Sequence, residues 1–152
     1  ANLWLGPVAI LSLVVPFSVL QVSAVSSQAR VDAARMAAAA AAVEHLPELA
    51  TAPRAGDAPR MRAALISDRA VWLAEALRRP VIALPDEHPR AVGQLAADFG
   101  TRLVVMLDVR GRYPAAWLTP EGLACLAGPP QPLLGPADPA LVARLRPDCV
   151  LP

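Results

Sequence analysis

Five ionisable side chains follow the apolar runs of this sequence, where a parallel sheet would bring them together. Asp68 follows the first run, Asp86, Glu87 and His88 follow the second, and Asp108 follows the third. The carboxyl ends of parallel strands lie at one edge of a sheet, and open α/β sheets bind ligands outside that edge. Carboxylates accept hydrogen bonds from hydroxyls and coordinate hard cations. We therefore predict a polar rim that contacts a sugar hydroxyl or a cation.

A structural role is the competing interpretation of these side chains. Asp68 can cap the helix after it, Asp86 or His88 can cap the next helix, and Asp108 can open a turn. The sequence contains no GxGxxG, GxxxxGK[ST] or HExxH motif, and its first strand-to-helix turn, residues 66–70, lacks glycine. A nucleotide-binding Rossmann domain is therefore disfavoured, and we predict neither a catalytic residue nor a metal ligand.

Cys125 and Cys149 are the only two cysteines of the chain. No histidine lies near either of them in the sequence, which argues against a cysteine nucleophile. Two interpretations remain open. A disulfide would tie down the C-terminal tail if the domain faces an oxidising compartment. Otherwise the two thiols are small buried hydrophobic groups.

The charges of the chain are balanced in number and uneven in position. The 152 residues carry 14 basic side chains, all of them arginine, and 13 acidic ones, for a net charge of +1. This balance argues against a nucleic-acid partner. The first charge is Arg30, and 55% of all residues are hydrophobic. The uncharged leading stretch must therefore be considered separately from the remainder, which has an ordinary mixture of charges.

The leading stretch is apolar enough to suggest a membrane. Residues 3–22 contain three polar side chains and no charge. A helix of this length is roughly 30 Å long, which matches the hydrocarbon core of a bilayer. We predict a transmembrane helix over residues 1–25. A signal peptide is the second interpretation, because residues 22–24 resemble a cleavage site although no basic region precedes them. A buried core helix is the third.

Residues 26–152 are predicted to form a soluble domain. An Ala-rich helix is expected first, because alanine has the highest helix propensity, and Pro- and Gly-containing segments then mark a linker and a loop. The predicted parts are a helix over 30–46, a linker over 47–60, a βαβαβ core over 61–108, and an irregular or helical tail over 109–152. Within the tail, short helices are predicted over 120–127 and 139–145.

The core shows a regular alternation of strands and helices. Its short, continuous apolar runs are typical of buried parallel strands joined by right-handed crossovers. The predicted strands are 62–67, 81–84 and 103–107, and the predicted helices are 68–79 and 89–100. The predicted fold class is therefore α/β: one N-terminal transmembrane helix followed by a small soluble domain with a mainly parallel sheet of about three strands and flanking helices.

Two parts of this core resemble a membrane enzyme family. The first runs from Ser67-Asp68 through Trp72 to the segment Arg79-Pro-Val-Ile-Ala-Leu-Pro85, and the second is Phe99-Gly-Thr-Arg-Leu-Val-Val-Met-Leu-Asp108. They are similar to the C-terminal extracytoplasmic domain of multi-pass glycosyltransferases that use polyprenyl-phosphate sugars, the dolichyl-phosphate-mannose:protein mannosyltransferase-like enzymes of GT-C type. The resemblance covers about residues 1–110.

The resemblance implies sugar transfer from a lipid-linked donor to an unknown acceptor. In that family the catalytic carboxylate lies in an early extracytoplasmic loop that this chain lacks, so no catalytic residue is carried over. The chain is expected to be an inactive C-terminal fragment that shapes acceptor access. A carboxylate elsewhere in the parent enzyme would act as the general base. No cofactor is expected in the fragment itself, although the parent could use a divalent cation.

The resemblance also implies a place in the cell. The parent enzyme would be a multi-pass protein of the cell membrane, with the lipid bilayer as a partner and with this domain on the extracytoplasmic side. The alternative function is a non-catalytic, single-pass membrane-anchored domain that binds a partner. A third hypothesis is a secreted α/β domain whose first 24 residues are removed.

Overall fold

The computed structural model describes residues 5–50, 52, 62–85, 89–108 and 120–146. The chain separates into two compact units, Ala1–Ala37 and Ala38–Pro152. The first unit contains most of one long helix. The second contains a sheet, the helices around it and the last residues of the long helix.

The long helix, α1, spans Leu5–Glu44. Six consecutive alanines favour its second half, since alanine loses no side-chain entropy in a helix. The hydroxyls of Ser23, Ser26 and Ser27 donate hydrogen bonds to carbonyls three residues earlier. A short helix, α2, follows at Pro47–Ala50, where proline is tolerated because the first helical amides have no partner within the helix.

The predicted transmembrane helix is wrong. Among the described residues, no helix is both long enough and apolar enough to cross a membrane. The apolar run does lie in α1, and Phe17, Leu20 and Val22 are exposed large side chains of that helix. However, α1 continues through a serine-rich turn to Arg30 and beyond, and Leu3 and Trp4 lie outside the described residues. Over the part of α1 from Val14 onward, whose side chains the structure describes, serine, glutamine and arginine side chains lower the mean hydropathy.

The sheet has five strands in the order β2-β1-β3-β5-β4. Its strands are β1 (Leu65–Ser67), β2 (Val81–Ala83), β3 (Leu103–Met106), β4 (Gln131–Pro132) and β5 (Leu141–Arg144). The strand β1 is parallel to both β2 and β3, whereas β5 is antiparallel to β3 and to β4. The sheet is therefore mixed.

Three further helices connect these strands. Helix α3 (Ala70–Leu77) joins β1 to β2, α4 (Pro89–Phe99) joins β2 to β3, and α5 (Pro120–Ala124) precedes β4. Helix α3 ends where Arg78 adopts a left-handed conformation with φ of 51°, and Gly100 follows α4 with φ of 66°. These positive φ values stop each helix one residue after its last turn.

One face of the sheet packs against α4. The buried side chains there come from α4, three strands and Leu126. Because side chains alternate between the two faces of a strand, Leu65, Val105 and Val142 point to the opposite face, and all three are buried. Arg144, two residues after Val142, bonds to Glu48 of α2, so α2 lies on that opposite face.

The predicted fold class is wrong in three respects. It included a membrane helix, it gave the sheet about three strands instead of five, and it made the strands mainly parallel instead of mixed. The order β1-α3-β2-α4-β3 matches the alternation seen in the sequence, but two strands follow it. Within the helix predicted over residues 139–145, Leu141–Arg144 is instead the strand β5, which pairs with β3. A segment of seven residues is too short for a stable isolated helix, whereas pairing with a buried strand satisfies its backbone groups.

Candidate functional site

The candidate site lies at the carboxyl ends of β1 and β3, which are adjacent in the sheet. From β1 the chain passes through α3 to β2 on one side, and from β2 it passes through α4 to β3 on the other side. The strand order therefore reverses between β1 and β3. A crevice at such a reversal, outside the carboxyl ends, is where open α/β sheets bind ligands.

Asp68 bridges this crevice. Its carboxylate accepts hydrogen bonds from the backbone amides of Leu107, at 2.9 Å, and Asp108, at 2.7 Å. The neighbouring Ser67 is completely buried. Its hydroxyl donates to Asp68 at 3.2 Å and accepts from the amide of Arg69 at 3.1 Å. A carboxylate held by charge-assisted bonds is strongly oriented, so Asp68 fixes the chain that leaves β3.

Arg69 and Asp108 form an ion pair above this bridge. The distance between Arg69 Nη2 and Asp108 Oδ2 is 3.2 Å. The side chains remain 56% and 43% exposed, respectively, so both keep polar atoms in contact with solvent. The pair presents guanidinium donors beside carboxylate acceptors, a combination that suits a ligand with several hydroxyl groups.

The structure brings together two of the five predicted rim residues. Asp68 and Asp108 meet as the sequence suggested, whereas residues 86–88 lie outside the described residues. The capping role considered for Asp68 is wrong, because the position before α3 is Arg69 and the helix has no side-chain cap. Asp68 bonds across the sheet to the end of β3 instead of bonding to the helix that follows it.

Sequence reasoning missed two members of the site, Ser67 and Arg69. Ser67 is the last residue of β1 and orients both Asp68 and the amide of Arg69. The sequence did contain a signal for Arg69. It directly follows Asp68 at the end of one strand, and Asp108 follows the end of another strand. That combination indicates an ion pair across the edge rather than repulsion between two carboxylates.

The chemistry of the site favours neutral polar ligands over cations. Asp68 is occupied by backbone amides, and the guanidinium of Arg69 places a positive charge next to Asp108. Among the described residues, no group of three His, Cys, Asp or Glu side chains could hold a metal ion. A hydroxyl group can donate to Asp108 and accept from Arg69 without such repulsion.

A second polar cluster lies at the opposite edge of the sheet. Arg144 of β5 forms an ion pair with Glu48 and donates a hydrogen bond to Gln131 at 3.1 Å. The hydrogen bond from Arg144 lowers the pKa of Glu48 from its ordinary value, although burial of the carboxylate acts in the opposite direction. The pair joins α2 to β5, which is a structural function.

Cys125 is buried and disulfide-bonded. The only other cysteine, Cys149, lies outside the described residues. Backbone bonds also hold this region: Arg146 donates to the carbonyl of Cys125 at 2.9 Å, and Ala127 donates to the carbonyl of Arg144 at 2.8 Å. The segment after α5 is therefore fixed along the end of β5.

Comparison with known proteins gives no relative on which a function could be based. No protein-family model, curated protein or solved structure matches this chain.

Proposed function

We propose that this chain is a non-catalytic accessory domain of a polyprenyl-phosphate-sugar glycosyltransferase, and that its carboxyl edge contacts a hydroxyl-rich acceptor. The observation that carries this proposal is the exposed Arg69–Asp108 pair, which lies over a backbone fixed by Asp68 at the strand-order reversal. Further support comes from the sequence resemblance, whose two parts span β1 to β3.

In this proposal the accessory domain binds, and the parent enzyme performs the chemistry. Arg69 donates to acceptor hydroxyl oxygens, while Asp108 accepts from hydroxyl hydrogens. The general base and any divalent cation belong to the parent, as does the lipid-linked donor. The parent is a multi-pass protein of the cell membrane, in contact with the bilayer, and this domain is on its extracytoplasmic side. The disulfide at Cys125 supports an oxidising compartment.

A binding experiment tests the site directly. Saturation-transfer NMR on the full chain would use methyl α-mannoside and methyl α-glucoside as probes. We expect binding of at least one glycoside, weakened about tenfold by Arg69→Ala with Asp108→Asn, because one or two hydrogen bonds of about 1 kcal/mol each are lost. Glu75→Gln, a change at an exposed acid of α3, is the matched control and should bind normally. Failure of the unmodified chain to bind either glycoside would overturn the sugar-binding site.

A transfer assay tests the link to a glycosyltransferase. The same double variant, introduced into the parent protein, should raise the KM for the acceptor and leave kcat nearly unchanged, because the pair does not contact the reacting atoms. A parent protein without any sugar-transfer activity, or a double variant with an unchanged acceptor KM, would contradict the proposal. Glycoside binding in the first experiment combined with either result would favour a binding domain that serves a different protein.

A further inference from the structure

The two outer strands of the sheet differ in how well they are protected against further pairing. Strand β4 lies at one border and β2 at the other. Strand β4 has two residues, one of them proline, and Pro129 and Pro130 precede it. Proline has no amide hydrogen to donate, and outer strands use it to avoid pairing with other chains. Strand β2 contains neither proline nor a charged side chain. It is therefore the border at which the sheet can be extended.

The pairing of β2 with β1 determines which backbone groups of β2 point outward. The two strands are parallel, and the amide of Leu84 donates to the carbonyl of Ser67 at 2.8 Å. Backbone groups of alternate residues in a paired strand point to the same side. Ile82 therefore faces β1 as Leu84 does, whereas the amides and carbonyls of Val81 and Ala83 point away from β1. We call these four backbone groups the open side of β2.

The surroundings of the open side are accessible and apolar. Among the described residues, no further strand lies beyond β2. Ala83 is exposed, and Val81 and Ile82 are half-buried. Ile82 packs against the core on the α4 face of the sheet while it keeps part of its surface free. Outward amides and carbonyls beside partly exposed apolar side chains provide a template for another strand.

We propose that the open side of β2 pairs with β2 of a second copy of this chain, in antiparallel orientation. In the proposed register, Ile82 of one copy lies opposite Ile82 of the other, on a two-fold axis. Val81 of each copy then faces Ala83 of the other, and each such pair exchanges two N–H···O bonds. The dimer therefore gains four hydrogen bonds, and both copies use the same surface. This proposal stands independently of the proposed function.

Charge complementarity favours a second copy as the occupant. In the sequence, Arg78 and Arg79 precede β2, and Asp86 and Glu87 follow Pro85. By sequence order alone, antiparallel pairing of two identical segments sets the basic start of each against the acidic end of the other. Parallel pairing would bring the arginines of both copies together, and like charges on paired strands are destabilising. The segment is therefore complementary to itself in the antiparallel orientation.

Helix α1 offers a competing surface for self-association. Phe17, Leu20 and Val22 are large apolar side chains exposed along it. Association through α1 would raise the mass of the particle but would leave the backbone of β2 as accessible to water as before. An experiment must therefore locate the contact as well as count the copies.

Hydrogen exchange of the unmodified full chain locates the contact. We expect exchange at the amides of Val81 and Ala83 to slow about tenfold once roughly nine-tenths of the chain is dimeric, because these amides then exchange only after dissociation. Exchange at Leu84, whose amide already bonds to β1, should change less. Sedimentation velocity at the same concentrations should show the mass of a dimer. Raised ionic strength should weaken the dimer by screening its charged ends.

A variant at the exposed residue tests the hydrogen bonds. Ala83→Pro removes an amide that points outward, so no bond to β1 is lost. Two of the four bonds between the copies disappear, and the dissociation constant of the dimer should rise about 30-fold, which is about 1 kcal/mol for each bond. The matched control, Ala83→Val, keeps the amide and suits a strand, so it should dimerise like the unmodified chain. Circular dichroism checks the fold of both variants.

Three results would overturn the proposal. The first is a chain that remains monomeric up to about 1 mM, the concentration range of very weak complexes. The second is an association in which exchange at Val81 and Ala83 does not change, which would assign the contact to α1. The third is an equal loss of dimer in Ala83→Pro and Ala83→Val, which would show that the backbone amide does not contribute.

Discussion

The two edges of the sheet are held together in different ways. At the amino edge, backbone groups connect the segments that enter the strands. Ala63 donates to Phe99 at 3.1 Å, and Ala64 donates to Pro80 at 2.8 Å. At the carboxyl edge, the segment that leaves β3 is held by the side chain of Asp68. The segments that enter β1 therefore rely on backbone groups, whereas the segment that leaves β3 relies on one carboxylate.

This difference bears on where function can reside. A side chain that holds the backbone cannot be exchanged without cost, so Asp68 is poorly suited to variation in ligand contacts. Arg69 and Asp108 lie above it and can vary. At the amino edge, Arg62 and Arg102 are exposed beside a framework of backbone bonds, so we do not expect their charge to be required for the fold.

The largest effect is expected from Asp68→Ala. The change removes two charge-assisted bonds to the amides of Leu107 and Asp108, which should lower the free energy of unfolding by about 2 kcal/mol. Urea denaturation measures this loss. Asp98→Ala, which removes an exposed carboxylate at the end of α4, is the control and should change stability little. Equal stability of the Asp68 and Asp98 variants would remove the contrast between the edges.

A smaller loss is expected at a buried hydroxyl of the amino edge. Thr101 is 4% exposed and donates to the carbonyl of Ala64 at 3.0 Å. Thr101→Val keeps the shape but removes this donor, and should cost about 1 kcal/mol in urea denaturation. Thr101→Ser keeps the hydroxyl and should lose less. If serine and valine cost the same, the hydrogen bond does not contribute and the loss comes from packing.

The Glu48–Arg144 pair should make stability depend on pH. Its side chains are each 34% exposed, so Glu48→Gln should cost only about 0.5 kcal/mol at neutral pH. Because folding lowers the pKa of Glu48 from 4.5, its contribution is present above that value and is lost as the pH falls through the lowered pKa. Denaturation of both proteins over a pH series should show their stabilities converging in acid; a constant difference would contradict the role of the carboxylate.

The smallest effect is expected from Arg102→Gln. The side chain is exposed, and the bond between the strands uses the carbonyl of Arg102, which the substitution retains. The free energy of unfolding should change by less than about 0.5 kcal/mol. Thermal denaturation is sufficient to test this. A loss as large as that of Asp68→Ala would show that the amino edge also relies on its arginines.

The core alternation was visible in the sequence because its apolar runs are short, buried and bounded by Pro or Gly. The strand β5 was not, because the short segment between Pro139 and Pro147 carries no period that separates a strand from a helix. Its structure comes from pairing with β3, a contact distant in the sequence. For the same reason the meeting of Asp68 with Asp108 was predictable from parallel strand ends, whereas the bond from Asp68 to the amides after β3 was not.

The membrane helix was predicted for a different reason. The count of apolar residues considered the leading stretch alone, although the helix that contains it continues to Glu44. Composition within a window identifies an apolar segment but does not determine where its helix ends. The polar turn around Ser26 and the charges from Arg30 onward belong to that same helix.

The antiparallel strand β5 has a consequence for how the chain reaches its folded state. All four residues of β3 are buried, and one of its two hydrogen-bonding sides is covered by β5, the last of the described strands along the chain. During synthesis, β3 therefore leaves the ribosome before β5 has been made. Until then an apolar strand with unpaired amides and carbonyls is open to other chains. Nascent or truncated forms that end before Leu141 should consequently need chaperones or aggregate.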